Sequence, residues 1–467
     1  MPGDAADCAC CGPAARAATA RLTAEMSRRG FLAGLAAIAP AAAGAQAPSD
    51  APQRPILLTN IRLFDGTERR LREGVAVLVR GNRIEGLPRR GEPVAEAQVM
   101  DCGGRLLMPG LIDAHWHALM CALPQVVLLT ADVAFVHLVA AREAERTLMR
   151  GFTTTRDAAG PAFVRKRAID GGLFPGPRIH PSGAMISQTS GHGDFRLRHE
   201  VPRQRPAYTE MQGVGAIADG EAEVLRSVRE QLLLGATQIR LAGGGGIASD
   251  YDPIDVVQFT EAELRAAVAA ASDWGTYVMI HVYTPVGIQR AIRAGVHCIK
   301  HGQLADAESA RMMVGEGTWW SLQPFLADED ANERATPEAA AKGREVARGT
   351  VNAFEMVKRF NLKMAWGTDI LFSPQLLPFQ GRQLAKMTRF FDPLEILSIA
   401  TARNGELLRM SGPRDPHGGP LGVIAPSALA DILVADGDPT RRLDFFMNPS
   451  ETLRVIIKDG RLHKNTL

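Results

Sequence analysis

At 467 residues, with a formal net charge of +2 and 46% apolar composition, the chain is long enough for one large domain or two to three ordinary ones, and apolar enough to bury a sizeable core. Its 53 basic and 51 acidic side chains balance, and the basic ones form no stripe interleaved with aromatics, which argues against a nucleic-acid partner. Glycine and proline are scattered without a period, so no solenoid is expected.

In chain order, the first fifty residues stand apart. Ser27-Arg28-Arg29-Gly30-Phe31-Leu32 has the form of a twin-arginine export signal, and the alanine-rich run that follows, 31–43, is too short to span a bilayer comfortably. Ala43-Gly44-Ala45 offers a small-residue cleavage site, so 1–47 are read as a leader and the mature chain is expected to begin near Gln46. The protein is therefore expected in the periplasm, or otherwise exported by this route, with no stable membrane insertion once the leader is cut. Met26 directly precedes the signal and offers a second start, which would leave Cys8, Cys10 and Cys11 untranslated. The mature part keeps Cys102, Cys121 and Cys298, an odd number, and no disulfide framework is indicated.

Residues 56–60, 75–79 and 105–108 read as short strands, with Asp65-Gly66 and Gly81-Asn82 as turns. The same texture returns at 431–435 and 452–457, with Asp436-Gly437 and Asp459-Gly460 at the turns. Segments 53–106 and 405–467 therefore predict one small β-sandwich domain built from both ends of the chain. Between them, 107–404 alternate strand and helix. Strands are expected at 109–115, 152–156, 178–182, 238–241, 277–281, 297–301, 318–322 and 363–367, with the clearest amphipathic helices at 132–149, 220–234, 261–274 and 337–359. The α/β pattern predicts a TIM-like (β/α)8 barrel with its site at the C-terminal strand ends. A doubly wound sheet is the competing fold, but no Gly-x-Gly-x-x-Gly follows the first strand.

The first of these strands runs through Pro-Gly-Leu-Ile-Asp-Ala-His-Trp-His, residues 109–117, and strand alternation puts His115 and His117 on one face with Trp116 opposite. Two such imidazoles can grip one divalent metal, each ring nitrogen roughly 2.0–2.1 Å from zinc. An isolated His-x-His pair is often only a surface feature; the later strands strengthen the case. The fifth ends in His281, the sixth in His301, and the eighth leads into Asp369. Four histidines and one aspartate on one catalytic rim predict a metal site.

These residues carry a resemblance. Met108-Pro-Gly-Leu-Ile-Asp-Ala-His-x-His117, Gly151-Phe-Thr-Thr-Thr-Arg-Asp157, Gly191-His-Gly-Asp194, Ile299-Lys-His-Gly302, Gly367-Thr-Asp369 and the closing Leu421-Gly-Val-Ile-Ala-Pro-Ser-Ala-Leu-Ala-Asp431 resemble the metal-dependent amidohydrolase superfamily. The similar branch holds imidazolonepropionase and the prolidase-like dipeptidases. The likeness implies hydrolysis of a carbon–nitrogen bond in a small-molecule amide. A divalent metal, zinc by preference, lowers the pKa of the water it holds from 15.7 towards about 7. Asp369 would take the water's proton and pass it to the leaving nitrogen. By the same resemblance Tyr283 maps to the substrate carbonyl oxygen and His192 to the substrate carboxylate; the plainer readings are rim packing and a solvated loop.

One departure matters. Two-metal members carry a strand-4 lysine that forms a bridging carbamate, and the matching position here is Arg240. A guanidinium is not expected to form that bridge. Beside a cation it costs about 4 kcal/mol per unit charge at 4 Å and effective dielectric 20. Lys300, where glutamate is usual, is expected on the opposite strand face, unable to substitute. One ion is therefore favoured over two, held by His115, His117, His281 and Asp369, with His301 hydrogen-bonding the water or oxyanion and Arg240 free for a substrate carboxylate or carbonyl. A two-metal enzyme with a rearranged bridge, and a metal-retaining binding protein or weakened relative, stay open. Trp116, Trp319, Trp320 and Phe325 fit an apolar pocket or the core equally well, and the sequence specifies neither the amide nor whether the chain forms a homo-oligomer.

Overall fold

The eight expected barrel strands all form, within one or two residues of their expected bounds. A computed structural model of the protein describes residues 54–202, 204–249, 251–331 and 336–467; the export signal and the three N-terminal cysteines lie outside them. The barrel strands are Leu111–Trp116, Phe152–Asp157, Arg178–His180, Ile239–Ala242, Val278–Val282, Cys298–His301, Trp319–Leu322 and Met364–Trp366. Strands four to eight pair in parallel in sequence order, as do the first three. The third strand bends rather than running on to 182. After Pro181 and Gly183 the chain resumes as Met185–Ser187, which pairs with the fourth strand and with a further short strand, Gly215–Ile217. The loop after the eighth strand closes the barrel on the first, where Asp369 N–H donates to the His115 carbonyl at 2.9 Å.

Local chemistry explains where the helices start and stop. Thr260 caps Glu261–Asp273, accepting from the Glu263 amide while the Glu263 side chain reaches back, a reciprocal capping box. Thr336 caps Pro337–Phe360 with proline at the first helical position, and Asn361 ends it in the left-handed region. Gly235, at φ 100°, ends Glu221–Leu234 in the same way.

The barrel interior carries charge as well as hydrocarbon. Ile112, Ala114, Met279, Cys298 and Ala365 share one buried cluster. Threaded through it, the Arg156 guanidinium donates to the Ala114 carbonyl at 2.7 Å, the Tyr277 hydroxyl at 2.8 Å and Ser321 Oγ at 3.3 Å. This network links strands one, two, five and seven, and a buried guanidinium is tolerable only with such partners.

The two chain ends form one seven-stranded mixed sheet. It curls over, because strands far apart in its order meet at their turns: Ala430 N–H donates to the Asn82 carbonyl at 2.9 Å, and Asn82 Nδ2 donates to Asp459 Oδ1 at 3.2 Å. The expected sandwich is this folded sheet. Its N-terminal part extends past residue 106, since Gln98–Pro109 is one continuous strand, and residues 405–431 contribute helix and loop before the first C-terminal strand, Ile432–Ala435. Arg178, in the third barrel strand, pairs with Asp431 at 2.8 Å and Asp459 at 2.6 Å. No helix among the described residues is long and apolar enough to cross a membrane. Cys102, Cys121 and Cys298 are free and buried.

Candidate active site

The first strand delivers its ligands through a buried carboxylate. Asp113 accepts from the His115 amide at 3.1 Å and from the Thr368 amide and hydroxyl at 3.1 and 2.7 Å, so it ties strand one to the loop after strand eight. That loop needs Gly367, where a Cβ would fall 2.4 Å from the His115 nitrogen. Asp369 follows in the left-handed region, at φ 53°, which turns its carboxylate toward the histidines. Its Oδ1 stands 3.0 Å from His115 Nε2 and 2.9 Å from His117 Nε2. His301 Nδ1 is 3.8 Å from the other oxygen.

His115, His301 and Asp369 offer ligand atoms all within 4.8 Å of one another. His117 joins them through the same carboxylate oxygen. His281 adjoins from the fifth strand, its ring centroid 4.5 Å from that of His301. Its Nε2 lies 3.1 Å from the Gly245 carbonyl, which can only accept, so the proton sits on Nε2 and the buried, unpartnered Nδ1 carries a lone pair. All five residues expected as ligands thus adjoin one another, and three of them, His115, His301 and Asp369, are spaced as one candidate metal group. Burial lowers the pKa of each of the four histidines, His301 to about 3, which keeps the imidazoles neutral. Burial works to raise Asp369, but His115 and His117 outweigh it and hold the carboxyl well below its usual range. Neutral imidazoles, an ionised carboxylate and the unpartnered His281 Nδ1 are a donor set that suits a divalent ion such as zinc.

The remaining expected residues flank this cluster. The Tyr283 ring stacks on His301 at 5.0 Å and meets His281 edge-on at 5.2 Å. His192 stacks flat on His281, 4.0 Å between ring centroids and 9° between planes. Its Nδ1 is held by Ser249 Oγ at 2.8 Å and Asp252 Oδ2 at 3.1 Å. Gly246 makes room for that ring, since a Cβ there would fall 1.9 Å from His192 Cε1. Lys342 pins the same loop through the carbonyls of Gly246, Ser249 and Asp252. Arg240 is 1% exposed, and neither its Nε nor its Nη1 has a partner. Burial lowers its pKa to about 10, against a partial pull from the nearby Asp369 carboxylate.

Lys300 departs from expectation. It shares the inward face with Cys298, two residues earlier, and donates across the barrel to the Ala114 carbonyl at 3.2 Å. His301, the next residue, reaches the site because its φ of 64° breaks the strand alternation at that point. Two internal basic side chains, Arg240 and Lys300, therefore accompany the candidate ligands; burial pushes the Lys300 ammonium well below its usual range, while Arg240, lowered to about 10, keeps its charge at neutral pH. Of the four aromatic candidates, Phe325 lines the cavity, while Trp116, Trp319 and Trp320 are core.

A cavity of about 500 Å³ opens from the cluster, bounded by His192, His281, Tyr283, His301 and Asp369. Much of its lining is apolar, with Ile247, Phe325, Leu326, Ala347, Ile370 and Leu376. Two further carboxylates reach it and both are paired: Asp328 with Lys386 at 2.7 Å, and Asp330 with Arg382 at 2.9 Å and Lys386 at 3.1 Å. Sequence reasoning missed these, and also Arg344 on the cavity rim and Gln323 beneath the ligands. None stands at a strand-end position of ligand type, which was the signal that found the others.

Residues 106–462 match the amidohydrolase family. The chain belongs to that family. Ochratoxinase of Aspergillus niger is 32% identical over 341 residues, spanning 69% of this chain and 68% of its own. Imidazolonepropionase of Deinococcus radiodurans is 24% identical over 431 residues, 89% and 96% of the two chains. A prolidase crystal structure complexed with N-methylphosphonate-L-proline aligns at TM-score 0.82 and 33% identity, covering 88% of this chain and 100% of its own. This amidohydrolase thus falls in the imidazolonepropionase and prolidase-like branch, and its membership places it among metal-dependent hydrolases of carbon–nitrogen bonds.

Proposed function

We propose that the protein hydrolyses the amide bond of an N-acyl amino acid whose acyl group is large and apolar, using one divalent ion, zinc by its donor set. The observation that carries this reading is the cavity. It joins the ligand cluster to a largely apolar lining, and its two outer carboxylates are already neutralised by Lys386 and Arg382. A free dipeptide would bring an α-ammonium to a wall with no unpaired anion among the described residues. An uncharged acyl group meets surface that favours it by about 25 cal/mol per Å² buried. The likeness to ochratoxinase, and to a prolidase that holds a compound built on L-proline, supports an amino-acid amide.

The bound ion would supply Lewis acidity and a water acidified to near-neutral pKa. The chain's own residues would do the rest. Asp369 is ionised and accepts the water's proton at its carboxylate, then delivers it to the leaving nitrogen. Arg240, with two unpartnered nitrogens, and the Tyr283 hydroxyl stabilise charge developing on the carbonyl oxygen. His192, fixed by Asp252 against His281, orients the substrate carboxylate. Export by the twin-arginine leader belongs to the same proposal and would place this activity in the periplasm.

The test is a screen of the purified, zinc-loaded protein on N-acyl amino acids of increasing acyl size, with free dipeptides and cyclic amides alongside. The reading requires kcat/KM to rise with apolar acyl size and to exceed that for dipeptides. Preference for free dipeptides or for ring opening would redirect it. Tight binding of N-acyl amino acids without turnover would identify a binding protein instead.

A further inference from the structure

The helix Pro337–Phe360 turns one face to the cavity, and that face carries Ala340, Gly343, Arg344 and Ala347, spaced i, i+3, i+4 and i+7. Three of these four are small, so Arg344 is the one long side chain the helix adds to the lining. It is exposed at the rim, whereas His192, on the same lining, is buried. Arg344 is also the one lysine or arginine in that lining, and it has no carboxylate partner among the described residues. Its own helix explains this. The positions three and four residues before and after it hold Ala340, Ala341, Ala347 and Arg348, none of which can pair with a guanidinium. The outer carboxylates of the cavity, Asp328 and Asp330, are taken by Lys386 and Arg382.

The same helix is tied to the loop that holds His192. Lys342 donates to the carbonyls of Gly246, Ser249 and Asp252 at 3.2, 3.0 and 2.7 Å. Ser249 and Asp252 are the residues that hold the His192 ring. Gly343 packs beside Ile247 in that loop, where a Cβ would fall 3.8 Å from Ile247 Cγ2. Arg344 therefore flanks the His192 side of the cavity, nearer to solvent.

We propose that Arg344 is a specificity-determining residue that pairs with a second carboxylate on the leaving amino acid, so that the preferred substrates are N-acyl derivatives of aspartate and glutamate. The inference rests on the hydrolase reading above, in which His192 takes the α-carboxylate. The two groups stand at different depths, so an amino acid with its α-carboxylate at the buried His192 directs its side chain outward to the rim. A guanidinium fork takes a carboxylate there through two parallel hydrogen bonds. Without such a ligand Arg344 stays hydrated and costs the fold nothing. A neutral side chain at the rim gains no charge pairing, and a cationic one is repelled, so the residue selects by both attraction and exclusion.

The experiment compares N-octanoyl-L-glutamate with N-octanoyl-L-glutamine, which differ by one charge at nearly constant shape, on the zinc-loaded protein. The glutamate compound should have the higher kcat/KM by about tenfold, the scale of a charge-assisted pair at an open rim. The preference should shrink in about 1 M salt, where the screening length falls to about 3 Å. Arg344→Met removes no ion pair among the described residues and should bring the two compounds level, and Arg344→Glu should favour N-octanoyl-L-lysine. Equal kcat/KM in the unmutated protein, or a glutamate preference that survives Arg344→Met, would overturn the inference. An equal fall for both compounds in Arg344→Met would place the residue at the α-carboxylate and overturn it too. Calorimetric dissociation constants for the same compounds separate this inference from the hydrolase reading. A glutamate preference in binding that vanishes in Arg344→Met upholds it even where neither compound is turned over. Equal binding and equal hydrolysis of both overturn it and leave the hydrolase reading standing.

Discussion

Replacing Arg240 with methionine should separate stability from activity. The guanidinium is buried with Nε and Nη1 unpartnered, and its pKa falls from 12.5 to about 10. At about 1.4 kcal/mol per tenfold, that depression corresponds to roughly 3 kcal/mol of folding free energy lost at neutral pH, because the charged form is better solvated in the unfolded chain. The sign follows from a base whose folded pKa is lowered: the cost is full below about pH 10 and is relieved as pH rises toward 12.5. Methionine fills much of the same volume without the charge, so Arg240→Met should be more stable in urea by some part of that amount. Its turnover should fall, because a donor aimed at a developing oxyanion is worth roughly 2.7–4 kcal/mol, or about 100–1,000-fold in kcat. Measured together, a denaturant midpoint and kcat on the best N-acyl amino acid decide the matter. A variant that loses both stability and activity would make Arg240 a packing residue. One that keeps wild-type kcat would remove it from the site.

Tyr283→Phe should lower kcat far more than it raises KM, since its hydroxyl meets charge that forms only in the transition state, and unchanged kcat would exclude it. His192→Ala should chiefly raise KM for carboxylate-bearing substrates, and an equal effect on substrates lacking the carboxylate would remove that role. Asp431→Ala leaves the buried Arg178 with Asp459 as its one remaining carboxylate partner, and chemical denaturation should show a loss of about 3–5 kcal/mol; a loss under 1 kcal/mol would show the pair to be solvent-screened. Changing Arg28 and Arg29 to lysine should leave the protein in the cytoplasm with its leader uncut, and a processed periplasmic form would refute the export signal.

Sequence chemistry picked out the candidate ligands because barrel geometry is regular. A histidine or aspartate at a C-terminal strand end must stand on the rim, which is why His115, His117, His281, His301 and Asp369 were legible. The same regularity misled at Lys300, where alternation fails one residue later because His301 adopts positive φ. No local pattern announces that break. Gln323 was invisible for a different reason: an amide neither titrates nor ligates, and its importance lies only in the two rings it touches. The bend of the third strand was hidden likewise. Pro181 and Gly183 mark a turn, but the return of the chain to pair with the fourth strand is a tertiary fact. The three tryptophans and Phe325 are chemically alike, and only packing assigns one to the cavity and the others to the core.

The most direct test of the central claim is a titration of metal-free protein with zinc, following hydrolysis of an N-acyl amino acid as a function of ions bound per chain. One tightly held ion, beside the charged Arg240 guanidinium, should bring activity to its full value at one equivalent, with no further rise at two. Activity that appears only with the second equivalent, or no amide hydrolysis at any loading, would contradict the account.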